Sequence, residues 1–173
     1  MTYKKLIQKK AQAWGTDLMV ALVIFTIGIV VFYLFSINQS GEAEEVINSL
    51  NYEGAIISDT ILSGGYPYNW TQETAVSIGI LYENKIDDAK LEEFYNFAST
   101  NYQKTKSLFN TKYDYYFFLD ENFIINSAEV RGIGKPGATP ENIPSQAENL
   151  IKITRFTVYK NKPVTAYLYI WEE

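Results

Sequence analysis

Any chemistry in this chain falls to carboxylates, lysines and hydroxyls, because its 173 residues include no histidine and no cysteine. That absence removes the commonest metal ligands, the usual proton shuttle near neutral pH, thiol nucleophiles and disulfides. Gly132-Ile133-Gly134-Lys135-Pro136-Gly137 invites a phosphate-loop reading, since glycines let backbone amides close on a phosphate while a lysine balances its charge. A nucleotide loop needs Gly-x-x-x-x-Gly-Lys followed by Ser or Thr, and Pro136 holds that last position, so a turn is expected instead. Asp120, Glu121 and Asn122 offer oxygens suited to Ca²⁺, yet no EF-hand spacing surrounds them and such residues are routine in hairpin turns. No metal and no cofactor is expected. Carboxylates are numerous, but no pair is set apart for acid and base work, and a Ser or Thr nucleophile has no histidine to activate it. The chain is not expected to be an enzyme.

The strongest signal lies elsewhere, in Leu18 to Ile37, twenty residues without charge or proline. A helix of that length spans roughly 30 Å, the thickness of a bilayer's hydrocarbon layer. A soluble helix as long would show a polar face, and none is present. Lys4, Lys5, Lys9 and Lys10 precede this stretch and Glu42, Glu44 and Glu45 follow it, which sets the N-terminus in the cytoplasm and the rest of the chain outside the cell membrane. No small-x-small cleavage site follows Ile37, so the helix is expected to be retained. The acidic excess after Asp17 argues against a nucleic-acid partner.

Immediately before the apolar run stands Lys9-Lys10-Ala11-Gln12, then Ala13-Trp14-Gly15-Thr16-Asp17. This junction resembles the class III signal peptide of archaeal type IV pilin-like proteins, in which a basic tail ending in a small residue is clipped before Gln and the apolar helix is kept. The resemblance covers about residues 9 to 37. It implies that Lys9 and Lys10 are recognised by a prepilin peptidase, with cleavage between Ala11 and Gln12. Asp17 is then the nearest counterpart of the family's assembly acid, at the sixth mature position rather than the fifth, and Ala11 stands where the family usually has Gly. It also implies a helix that sits first in the lipid bilayer and later packs against its own copies in a filament core. The same residues satisfy a plainer design, a polybasic flank and a permanent anchor.

Three regions follow: a basic leader at 1–11, a transmembrane or filament-core helix at 12–37, and an extracellular domain at 38–173. From Ser40, Val46, Leu50, Gly54, Ile57 and Ile61 recur at helical spacing, so a helix over 38–63 should face a domain, with Gly64-Gly65 and Pro67 ending it. Either this helix continues the apolar one, or Ser40 caps a separate second helix. A short strand is expected at 76–81, helices at Asp87–Ala98 and Tyr102–Phe109 within 87–109, and strands across 113–171. On Tyr113–Leu119, Tyr113, Tyr115, Phe117 and Leu119 share one face while Tyr116 and Phe118 share the other, so both faces need cover. Gly134 to Ser145 reads as a long exposed loop, and Lys160-Asn161-Lys162-Pro163 as a hairpin turn. The fold class is α+β, a long N-terminal helix on a mainly antiparallel sheet, which agrees with the pilin resemblance.

Two surface features remain. Of the sequons Asn38-Gln39-Ser40 and Asn69-Trp70-Thr71, Asn69 is the better glycosylation candidate because it lies in a turn rather than at the membrane exit; the alternative is that Asn69 and Thr71 cap that turn. Tyr167, Tyr169 and Trp171 share one face of the last strand. They either pack within the domain or form a subunit contact or ligand platform.

Overall fold

The computed structural model describes residues 3–125 and 127–172, with side chains over 15–37, 44–125 and 127–172. The chain forms two units, Met1–Glu45 and Val46–Glu173. Helix α1 (Tyr3–Ile61) contributes residues to both, and its two parts are taken separately. The backbone at 38–41 is helical, and the side chain of Ser40 lies outside the described residues.

In the first unit, Gly15–Ile37 is one helical stretch long and apolar enough to cross a membrane, which fits a membrane span or a signal sequence. None of it is buried. Thr26, the polar residue at its middle, makes no demand on the surroundings, because its hydroxyl donates back to Leu22 O at 2.8 Å.

In the second unit, the helical stripe buries Leu50, Gly54, Ile57 and Ile61, with Val46 half-buried beside them. Gly54 is where the helix meets the sheet. A Cβ there would fall 2.8 Å from both Ile153 Cδ1 and Ile170 Cγ2, so the small residue sets the approach. Gly54→Leu is therefore expected to lower stability by about 2 kcal/mol, overpacking outweighing the gain in helix propensity. Urea unfolding measures it, and an unchanged midpoint would show that the helix does not rest on the sheet at this point. Glu53, accepting from Thr111 Oγ1 at 2.6 Å, and Asp59, 3.1 Å from Arg155 Nε, fix the same helix to the elements beneath it.

The sheet under the helix has four antiparallel strands in the order β6-β3-β8-β7, where β3 is Asp114–Leu119, β6 Ile133–Gly134, β7 Asn149–Tyr159 and β8 Lys162–Glu172. The β7–β8 turn is Lys160-Asn161, both at positive φ, the geometry whose twist matches paired strands. Helix α2 (Asp88–Leu108) is capped by Asp87, which accepts from Lys90 N at 3.0 Å. It breaks at Asn101, which leaves helical φ/ψ and whose side chain accepts from Lys104 N. Two helical segments result, one on each side of that residue.

Two segments, 76–80 and 134–145, differ from expectation, and a third takes a more specific form. Residues 76–80 do not join the main sheet: Ile78 and Ile80 are buried, and the amides of Ile80 and Leu81 donate to Ile61 O and Ser63 O. The segment satisfies carbonyls left open at the end of α1. Ser77 makes an isolated antiparallel bridge with Tyr66, and the chain then forms the short pair β1 (Leu81–Tyr82) with β2 (Lys85–Ile86). Residues 123–132 fold into a separate hairpin, β4 (Phe123–Ile125) with β5 (Ala128–Val130). The expected loop at 134–145 holds helix α3 (Ile143–Gln146) and buries Ala138 and Ile143 against the sheet. That supplies the cover which the outer aromatics of β3 require.

Candidate functional site

Strand alternation places Tyr167, Tyr169 and Trp171 on the sheet face turned away from α1. Register sets Phe118 beside Tyr167 and Tyr116 beside Tyr169. The Phe118 ring lies 5.2 Å from that of Tyr167 and 5.1 Å from that of Tyr169, tilted and edge-on, arrangements aromatic quadrupoles favour. From β7, Lys152 sits opposite Tyr169 with its ammonium 4.0 Å from the Tyr167 ring centre. The three expected interaction residues then part company. Trp171 is buried in the cluster with Ala138 and Ile143, whereas Tyr167 and Tyr169 are half-buried. Phe156, two places along β7 from Thr154, is 85 % exposed and was not singled out from the sequence. Its alternation with Lys152 was the available signal.

At the opposite end of β3, Asp114 is the hub of the polar network. It accepts from Lys135 Nζ at 2.7 Å, Lys106 Nζ at 2.9 Å and Tyr102 Oη at 3.1 Å. Tyr102 Oη in turn accepts from Tyr115 N at 2.9 Å. Burial pushes the Asp114 carboxyl up, but the hydrogen bonds from Lys135 and Lys106 outweigh it and hold the group below the ordinary aspartate value. Burial drives the Tyr102 and Tyr115 phenols strongly upward, so both stay neutral. This is structural chemistry, joining α2, β3 and the chain after β6.

The sign of the pH dependence follows. Asp114 is harder to protonate in the folded chain than in the unfolded one, so its contribution is complete above about pH 4 and fades as the pH falls through the lower folded value. Thermal melts below pH 4 are expected to show this fall, and Asp114→Asn to flatten it while lowering stability at neutral pH. A variant with the wild-type acid profile would remove Asp114 from that role.

The glycine-rich run is explained by the same region. A Cβ at Gly132 would lie 2.4 Å from the Tyr116 ring and 2.6 Å from Phe117 O, so glycine admits the chain beside β3. Lys135 is committed to Asp114. Asp120 Oδ2 accepts from Thr165 N, and Asn122 bonds Glu129 and Arg131, so these two turn residues serve local contacts. Asn69 is exposed in its turn, next to Trp70, whose buried indole donates to Gly79 O at 2.8 Å. Thr71 faces Thr74, with 3.1 Å between the hydroxyl oxygens. Asp17 is exposed on α1. The side chains of Lys9, Lys10, Ala11, Gln12 and Asn38 lie outside the described residues.

The chain is thus a mixed helix and antiparallel-sheet protein with an N-terminal apolar helix ahead of its sheets. No family model, no curated protein and no solved structure matches it.

Proposed function

We propose that this chain is a type IV pilin-like surface subunit, processed between Ala11 and Gln12 and assembled through its apolar helix into a filament or pseudopilus with a structural or adhesive role. The observation that carries the reading is the apolar stretch Gly15–Ile37, none of which is buried among the described residues and which is separated by two residues from Lys9-Lys10-Ala11-Gln12. Such a surface is sheltered either by lipid or by copies of itself. On this reading the partners are the bilayer, a prepilin peptidase and other subunits, and the second unit is displayed outside the cell. Mass spectrometry of the mature protein tests it: an N-terminus at Gln12 is expected, and one at Met1 or Thr2 counts against processing.

A second reading, a permanently anchored module that binds a ligand or partner, is favoured by the half-open ring set of Phe118, Tyr167 and Tyr169 with Lys152 and the projecting Phe156. It calls for an unprocessed monomer or small oligomer. Filaments of this chain in electron micrographs of surface preparations would exclude it.

A further inference from the structure

A cleft of about 380 Å³ lies between α2 and the chain from Glu129 to Ala138. Helix α2 contributes Tyr95 and Ser99, one turn apart, and β3 contributes Tyr116; Glu129 and Arg131 add a carboxylate and a guanidinium. Tyr116 is buried, and burial pushes its phenol up, so it presents a neutral hydroxyl. Among the described residues, no hydrogen bond engages the hydroxyls of Tyr95, Ser99 or Tyr116. These three donor-acceptor groups line one concave space, Tyr116 from a buried ring, Tyr95 from a half-buried one and Ser99 from an exposed helix position, where the hydroxyls of a guest can replace water as their partners.

The charges narrow the ligand class. Arg131 is paired with Glu141 at 3.5 Å and donates to Asn122 at 3.1 Å, while Lys135 is held by Asp114, so the cations near the cleft are already balanced. An anion gains little there. The lining is mainly polar, which disfavours an apolar guest. Strand β6, at the end of the sheet on this side, packs against α2, so an extended peptide has no open edge to join. The volume lies at the small end of ligand-sized pockets, about 300–1,000 Å³, enough for one or two rings.

We propose that this cleft binds a neutral saccharide end, with Tyr95, Ser99 and Tyr116 exchanging hydrogen bonds with its hydroxyls and Glu129 and Arg131 fixing its orientation. The site belongs to the second unit and does not depend on whether the N-terminal helix is processed or assembled. The test is a nuclear magnetic resonance titration of the full chain in lipid nanodiscs, since sugar-headed detergents would compete. The probes are methyl α-mannoside, methyl β-galactoside, N-acetylglucosamine and inorganic phosphate. At least one sugar is expected to shift the amides of Ser99, Gly132 and Gly134 saturably, and phosphate to leave them unmoved. Ser99→Ala, at an exposed helix position that does not threaten the fold, and Tyr95→Phe are each expected to weaken that binding roughly fivefold, the worth of about one hydrogen bond. The proposal is overturned if no sugar moves these amides, if phosphate moves them at lower concentration than any sugar, or if both variants bind as the natural chain does.

Discussion

A chain carrying Val23→Asp and Ile27→Asp is expected to leave the membrane pellet and appear in the soluble or aggregated fraction. Both positions lie near the middle of Gly15–Ile37 and both are exposed. Exchanging an apolar residue for Asp at the centre of a spanning helix costs about 3 kcal/mol, so the pair costs on the order of 6 kcal/mol, more than ten-thousandfold in partitioning. On the pilin-like reading the same substitutions also oppose filament packing, because a carboxylate sealed between apolar helices has no partner. Asp17→Asn is the control, lying at the end of the stretch, where a charge reaches the interface. It should leave membrane association intact, and on the pilin-like reading it lowers assembly. Immunoblots of alkali-washed membranes read the result. If the doubly substituted chain pellets as the natural one does, the apolar stretch is not what holds it there.

Elements built on local periodicity were legible. The stripe from Val46 to Ile61 showed which helical face is buried, including Gly54, whose lack of a side chain lets Ile153 and Ile170 close on the helix. The alternation Tyr115, Tyr116, Phe117, Phe118 showed that β3 is covered on both sides. The Lys160-Asn161 turn followed from local chemistry as well, since its twist needs residues tolerant of positive φ. What failed depends on partners far along the chain. An apolar run such as Val76–Leu81 reads the same whether it pairs in a sheet or closes the end of a helix, and here it does the second. Two-residue β6 has too little pattern to be seen, and its pairing with β3 depends on how closely Gly132 and Gly134 let the chains approach. The cleft brings α2 residues together with residues 129–138, a juxtaposition that no local spacing encodes.

Trp171 tests the division of the aromatic face. It shares a strand face with Tyr167 and Tyr169, yet only 1 % of it is exposed, beneath Ala138 and Ile143. Trp171→Ala is expected to cost about 4 kcal/mol, because the 138–147 segment cannot collapse far enough to fill the volume of an indole. Trp171→Phe should cost much less. It keeps a ring in place and removes an indole N–H that, among the described residues, is buried without a partner, a defect worth about 1 kcal/mol or more. Tyr167→Ala and Tyr169→Ala should each cost about 1 kcal/mol or less, since their rings meet Phe118 and Lys152 across strands but keep one side open. Trp70, buried in the main core, remains as a fluorescent reporter in every one of these variants, so unfolding of the full chain in urea can be followed in each. If Trp171→Ala kept its stability while Tyr167→Ala lost several kcal/mol, the roles would be reversed: the indole would belong to a contact with another molecule, and the tyrosines would be holding the sheet.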